Sequence, residues 1–263
     1  MPGIFRDGLF TGRHVFVTGG SSGINLRIAE AFGKAGAKVS ILARKQEKLD
    51  AALTLLKSQG TTAQGFSADV REYAAIDGAM TKAVEAFGPL DVLVCGAAGN
   101  FPAPAMAMSS NGFKAVLDID VLGTFNACRA AFEKFRTPGA SVINISAPQA
   151  SVPYPMQAHV CAAKAGVDML TRTLAMEWGG AGVRVNSISP GPIDETEGMT
   201  RLAGDADTKA KVEQRVPLQR FGTKDDIANV ALFLASEAAS YVTGSVYSCD
   251  GGMQLIGGSF MTL

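Results

Sequence analysis

Three clusters of residues in this chain have types and spacings that can do chemistry. The first is a glycine-rich turn, 18-TGGSSGIN-25, which follows an apolar run and opens a helical pattern. Gly19 and Gly23 let the backbone turn tightly and approach a pyrophosphate, which the free N–H groups of a helix N-terminus stabilise. Ser21, Ser22 and Ile24 lie in the same turn as further cofactor contacts. A glycine cluster alone is common in turns; its place between a strand and a helix makes it a nucleotide loop. Asn25 stands where a third glycine normally eases packing of helix on sheet, so a slightly altered helix approach is expected.

The second cluster is 42-LARK-45, at the end of the next apolar run. A site for NAD usually carries an acidic residue here; Arg44 and Lys45 instead attract a 2′-phosphate, with Ser21 or Ser22 adding a hydrogen bond. NADPH is the expected cofactor, and the alternative is a solvated basic turn. The third cluster is Lys164, a cation deep in the apolar helical run 157-QAHVCAAKAG-166, where a snorkelling surface lysine is not expected. Between them, Asp69 and Val70 follow a third strand, where Asp69 accepts from an adenine amino group, caps the following helix, or does both. Gly96, Ala97 and Ala98 end a fourth strand and let a dinucleotide pass close. Pro190, Gly191 and Ile193 border the nicotinamide end.

These residues need a scaffold, and the pattern supplies one. Short β-branched runs at 14–17, 38–42, 91–94, 141–145, 183–188 and 244–248, with a weaker one at 62–67, alternate with helical stretches. The helices are expected at 24–35, 46–59, 71–87, 111–135, 156–178 and 225–236. Such alternation predicts an α/β fold: a Rossmann-like, doubly wound parallel sheet of about seven strands in a single domain spanning 1–263. The segment 191–224, where Pro, Gly, Asp and Glu cluster, reads as an irregular substrate loop or lid beyond the strand ends.

Composition narrows the function. Lys+Arg and Asp+Glu balance at 24 each, so no basic field for nucleic acid exists. The four cysteines show no close pair in sequence and read as reduced thiols, and two histidines give little basis for a metal. No apolar run reaches the roughly 18 residues of a membrane span. MPGIFRDGLF is unlike a signal peptide and FMTL unlike a peroxisomal address. A soluble cytoplasmic protein without membrane or nucleic-acid partners is expected.

The motifs TGGSSGI, DVLVCGAAG, Lys164 in its long helix, NSISPGPI (186–193) and YVTGSVYSCDGG (241–252) together resemble the short-chain dehydrogenase/reductase family over about residues 11–254. The resemblance implies a catalytic set of Asn, Ser, Tyr and Lys. Carried over by position, the asparagine place holds Asp120, the serine place Ala147 beside Ser146, and the tyrosine place Val160; only Lys164 remains. A ketone reductase needs a phenolic proton donor held by a hydroxyl, and neither is present. AAGNF (97–101), LDIDVLGTF (117–125), HVCAAKAGVD and GPIDETEGM (191–199) look like the 2,4-dienoyl-CoA reductases of the peroxisomal type and their bacterial relatives.

That resemblance implies NADPH-dependent reduction of a dienoyl thioester to a 3-enoyl-CoA in unsaturated fatty acid degradation. Hydride goes to C5, charge flows to the thioester oxygen, and a proton reaches C2. The enzyme must stabilise an oxyanion and supply an acid near C2. Asp120 and Asp250 are the candidate acids, with a buried partner of Lys164 and a turn former before Gly251-Gly252 as their alternative roles. Lys164 is expected to bind the nicotinamide ribose and lend charge to the dienolate. Phe101, Ser146, Gln149, Met156 and His159 are candidate substrate contacts, with Tyr154 also near. Two rival readings remain: a carbonyl or 3-oxoacyl reductase whose acid comes from elsewhere, such as Tyr154, and a non-catalytic NADP(H)-binding sensor or scaffold. The apolar helices at 111–135 and 156–178, by the family resemblance, pair across a twofold axis in a homotetramer.

Overall fold

The computed structural model describes residues 5–196, 198, 199 and 205–255. Its strands are β1 (His14–Thr18), β2 (Lys38–Ala43), β3 (Ala63–Ser67), β4 (Val92–Cys95), β5 (Ser141–Ile145), β6 (Arg184–Pro190) and β7 (Val246–Cys249). They form one parallel sheet in the order β3-β2-β1-β4-β5-β6-β7. Near-continuous apolar runs suit strands covered on both faces. Val15 and Val17 point into one layer, with Ile28 and Phe32 of α1 (Gly23–Lys34), Leu49 of α2 (Gln46–Ser58) and Ile227. Phe16 points into the other, with Ile76 of α3 (Tyr73–Phe87) and Leu174. Strand order turns at β1, which pairs with both β2 and β4, so a crevice opens above the carboxyl ends of those strands.

The expected doubly wound sheet is present, and the weak strand at 62–67 is the edge strand β3. Several helix bounds differ for local reasons. The stretch expected at 111–135 is α4 (Ser110–Leu117) and α5 (Gly123–Phe132), joined by a π-helical turn over Asp118–Leu122. It stops at Phe132 because the chain then turns to pair Phe135 with Leu90. The next helix, α6 (Ala158–Trp178), starts later than expected because Met156 has a left-handed φ of 64°. The region 191–224 is not irregular throughout. It holds α7 (Ala206–Arg215), whose Asp205 cap accepts from the Thr208 N–H at 2.8 Å, and it leads into α8 (Lys224–Ala235).

At the far, amino end of the sheet, Asp91 accepts from Arg13 and Arg136, each at 2.7 Å, and from the His14 N–H at 2.8 Å. The His14 ring is fully buried. Its Nδ1 donates to the Gly88 carbonyl at 2.8 Å, and in the neutral ring its Nε2 accepts from the Ser40 hydroxyl, also at 2.8 Å. Burial pushes the imidazole below its ordinary value of 6.5, against the pull of Gly88 and Asp91. A group with a depressed folded pKa supports stability above its unfolded pKa and loses it as pH falls through the folded one. The Tm should therefore drop between about pH 7.5 and about pH 5, and His14→Gln should lose less over that interval than the parent. Equal losses in scanning calorimetry contradict this role for His14.

Candidate active site

A cleft of about 1020 Å³ lies above the carboxyl ends of the strands and reaches from the glycine loop to the first turn of α6. Gly19 and Gly23 adopt φ of 68° and 59°, which side chains rarely tolerate. Ser22 caps α1 without using its side chain, so the helix's first N–H groups stay open to an anion. Ser21, Ser22 and Ile24 line this end. Arg44 and Lys45 line it too, joined by Lys48 one helical turn on. Lys48 is a cation that sequence reasoning passed over, although its i,i+4 spacing from Arg44 was visible.

Asp69 and Val70 line the same wall. Asp69 accepts from the Arg71 N–H at 3.0 Å and from its guanidinium at 3.0 and 2.7 Å, which holds the carboxylate below its usual range. It orders the turn before α3, whose N-cap position is Glu72 with no side-chain cap hydrogen bond, so the cap role expected of Asp69 is not filled by its carboxylate.

Asn25 does more than alter the helix approach. Its Nδ2 donates to the Gly96 carbonyl at 2.7 Å, and its side chain fills the gap between Gly19 and Gly96. A Cβ on residue 96 would meet Asn25 Oδ1 at 2.0 Å, so the amide fits only against glycine. Gly96, Ala97 and Ala98 line the cleft as expected, as do Pro190, Gly191 and Ile193. Gly191 is required by close approach, since a Cβ there would lie 2.5 Å from the Asp250 Cα.

At the centre stand Lys164 and Asp120, 7% and 0% exposed. Lys164 Nζ lies 3.0 Å from Asp120 Oδ2, as an ion pair and not an aligned hydrogen bond, and donates to the Ile145 carbonyl at 3.1 Å. Asp120 Oδ1 accepts from the Gly99 N–H at 2.7 Å. The π turn carries Asp120 inward; widened turns of this kind are common at functional sites. Lys164 lines the cleft, whereas Asp120 is reached behind it. The two family hydroxyl places are apolar: Ala147 lines the cleft and Val160 packs with Val116 and Ala163.

Asp168, one turn after Lys164, was also missed, although an i,i+4 carboxylate on a buried helix face was readable. Burial pushes its carboxyl up, against Ser146, Arg172 and Lys164.

Other expected residues fall differently. Ser146, Gln149 and Tyr154 line the cleft. Tyr154 keeps its phenolic proton, because burial, then Asp250 and Cys161, raise its pKa. Asp250 accepts from the Gly252 and Gln254 N–H groups, both at 2.9 Å, and so shapes the turn after β7. Phe101, Met156 and His159 are not part of the cleft wall. The His159 ring is fully buried against Phe101, with centroids 4.5 Å apart and neither nitrogen hydrogen-bonded among the described residues. Of the 194–215 region, Glu195, Thr196, Gly198, Met199 and Val212 line the cleft, while 197 and 200–204 lie outside the described residues. The cysteines are free; folding brings Cys95 and Cys128 to 3.8 Å, where the Cys128 hydrogen bond and burial push the Cys95 thiol up. Among the described residues no acid, Cys and His cluster is placed to hold a metal ion, and no helix is long and apolar enough to cross a membrane.

A family model described as enoyl-(acyl carrier protein) reductase matches residues 19–254. The chain is 43% identical over 254 residues to a peroxisomal 2,4-dienoyl-CoA reductase, (3E)-enoyl-CoA-producing, of Danio rerio, covering 96% of this chain and 85% of that protein. It is 39% identical to a probable 2,4-dienoyl-CoA reductase, (2E)-enoyl-CoA-producing, of Bacillus subtilis, covering 92% and 96%. Among solved structures, a putative short-chain alcohol dehydrogenase of Sinorhizobium meliloti superposes with a TM-score of 0.87 at 32% identity, covering 93% and 97% of the two chains. A gluconate 5-dehydrogenase of Burkholderia cenocepacia, in complex with NADP and tartrate, gives a TM-score of 0.86 at 29% identity, covering 93% and 96%.

The contact between Asn25 and Gly96 predicts a coupled pair. Gly96→Ala should cost about 1–3 kcal/mol by overpacking and weaken NADPH binding. Adding Asn25→Gly should recover much of that loss, which denaturant unfolding and cofactor titration of the single and double variants will read. Strictly additive effects contradict the coupling.

Proposed function

The chain belongs to the short-chain dehydrogenase/reductase family, and from that premise we propose that it reduces a 2,4-dienoyl-CoA thioester to a 3-enoyl-CoA with NADPH. One observation carries this reading: Lys164 lines the cleft with its buried partner Asp120 behind it, where both hydroxyl places are apolar, at Ala147 and Val160. Such a site lacks the donor for a ketone oxygen yet keeps a cation for a delocalised anion. The residues present fit NADPH. The glycine loop and open α1 N-terminus suit the pyrophosphate, and Arg44, Lys45 and Lys48 suit the 2′-phosphate. When bound, the cofactor supplies the hydride that goes to C5.

Lys164 holds the nicotinamide ribose and, 3.0 Å from Asp120, lends positive charge to the dienolate. Asp120 is the residue that feeds C2, acting through the pair: the proton comes from the Lys164 ammonium, 3.0 Å from the Asp120 carboxylate, and passes toward C2 as charge builds on the substrate. Asp250 contributes from the neighbouring turn, where its charge adds to burial in raising the pKa of the Tyr154 phenol. That phenol, half-buried in the cleft, is also what a carbonyl or 3-oxoacyl reductase would use.

The exposed side chains Phe113, Leu122, Phe125, Met169 and Met176 on α4, the π turn, α5 and α6 support pairing into a homotetramer. Free thiols and balanced charge support the cytoplasm as its place, while the Danio rerio relative is named as peroxisomal.

Loss of reduced-nicotinamide absorbance is expected with 2,4-dienoyl-CoA and not with 3-oxoacyl-CoA. Turnover of only the 3-oxoacyl substrate sinks the proposal, and NADPH binding without turnover of either makes the protein a sensor. Asp120→Asn should lower kcat about 10²–10⁴-fold while NADPH still binds. Arg44→Ala should weaken NADPH binding about tenfold or more and leave NADH unaffected; equal effects on both cofactors remove Arg44 from the phosphate site.

A further inference from the structure

The proton that leaves Lys164 for C2 must be replaced before the next turnover, and two buried groups beside Lys164 have no part in the steps above. Asp168 follows Lys164 by one turn of α6, on the same buried face. Its Oδ1 is buried without a hydrogen-bond partner among the described residues. Ser146, buried in the cleft wall just past β5, has a hydroxyl in the same condition. The two side chains neighbour each other, although no aligned bond joins them in this geometry. Both also neighbour Lys164, whose Nζ donates at 3.1 Å to the carbonyl of Ile145, the residue next to Ser146.

A carboxylate with a buried, unpartnered oxygen is costly, and the buried cation beside it already pairs with Asp120 at 3.0 Å. Asp168 therefore keeps its proton more firmly than an exposed aspartate, as burial dictates against the pull of Ser146, Arg172 and Lys164. Lys164 and the exposed Arg172 act on it from α6 itself, and Ser146 acts from the end of β5. An acid beside a free hydroxyl, which lies beside an amine that loses a proton in each cycle, is a proton store with a path. We propose that Asp168 recharges Lys164 through Ser146 after each turnover. The Lys164 N–H bond breaks as C2–H forms, leaving a neutral amine next to Asp120. The Ser146 hydroxyl proton then passes to that amine while the Asp168 carboxyl proton passes to the Ser146 oxygen. Asp168 is left as a carboxylate facing the restored ammonium, and water returns its proton. Nothing is oxidised or reduced in this step. Asp168 and Ser146 are positioning residues that act through Lys164. The inference rests on the dienoyl thioester reading.

Asp168→Asn keeps the shape and removes the acid, and Ser146→Ala removes the hydroxyl. With enzyme in excess over 2,4-dienoyl-CoA, both variants should oxidise NADPH at the parent's rate, because the first proton is already on Lys164. With substrate in excess, stopped-flow absorbance should show a burst of about one NADPH per site, then a steady rate about 10²-fold below the parent's. Asp168→Glu, which keeps an acid, should restore most of the steady rate. A steady rate equal to the parent's in either Asp168→Asn or Ser146→Ala overturns the inference while dienoyl-CoA reduction stands. An equal fall in the first turnover and the steady rate also overturns it and makes the two side chains structural. A parent that does not oxidise NADPH with 2,4-dienoyl-CoA removes the functional reading, and this inference with it.

Discussion

The buried contact between Lys164 and Asp120 is the constraint around which the rest of the site is arranged. Taking both charges out of water costs several kcal/mol each, and only close pairing with further hydrogen bonds offsets it. The partners come from separate elements. Lys164 comes from α6, Asp120 from the π turn, the Gly99 N–H from beyond β4 and the Ile145 carbonyl from the end of β5. A shift of any one of these elements leaves a buried charge alone. The carboxyl ends of the central strands are thereby locked to α6, and the cleft above them keeps its shape.

Much of this was legible in the chain. The alternation of buried runs and helices gave the sheet order its logic, and the glycine loop, Arg44-Lys45 and Lys164 stood out because local chemistry made them unusual. What escaped depends on contacts between distant segments. Asn25 read as a missing glycine, and only the fold shows that its amide needs Gly96 beside it. Met156 and Phe101 looked like channel residues; both lie outside the cleft wall, with Phe101 packed on the buried His159 ring. The region expected to be an irregular lid contains a helix because Asp205 supplies a cap that a Pro- and Gly-rich composition obscured.

The fold by itself says little about the reaction. Solved neighbours with TM-scores of 0.87 and 0.86 are described as alcohol and gluconate dehydrogenases. The difference lies in the side chains above a shared sheet. Replacing a hydroxyl pair by Ala147 and Val160 removes the means of protonating a ketone oxygen, while the buried cation suits an anion spread over a conjugated thioester.

The reaction can be followed atom by atom with NADPH deuterated at the transferred position and 2,4-dienoyl-CoA in ordinary water, then with unlabelled cofactor in deuterium oxide. A dienoyl reduction places the cofactor's deuterium at C5 and the solvent's at C2 of a 3-enoyl-CoA, as nuclear magnetic resonance of the product will read. Solvent deuterium at C4 of a 2-enoyl-CoA, or cofactor deuterium only on the carbinol carbon formed from an added 3-oxoacyl substrate, contradicts it.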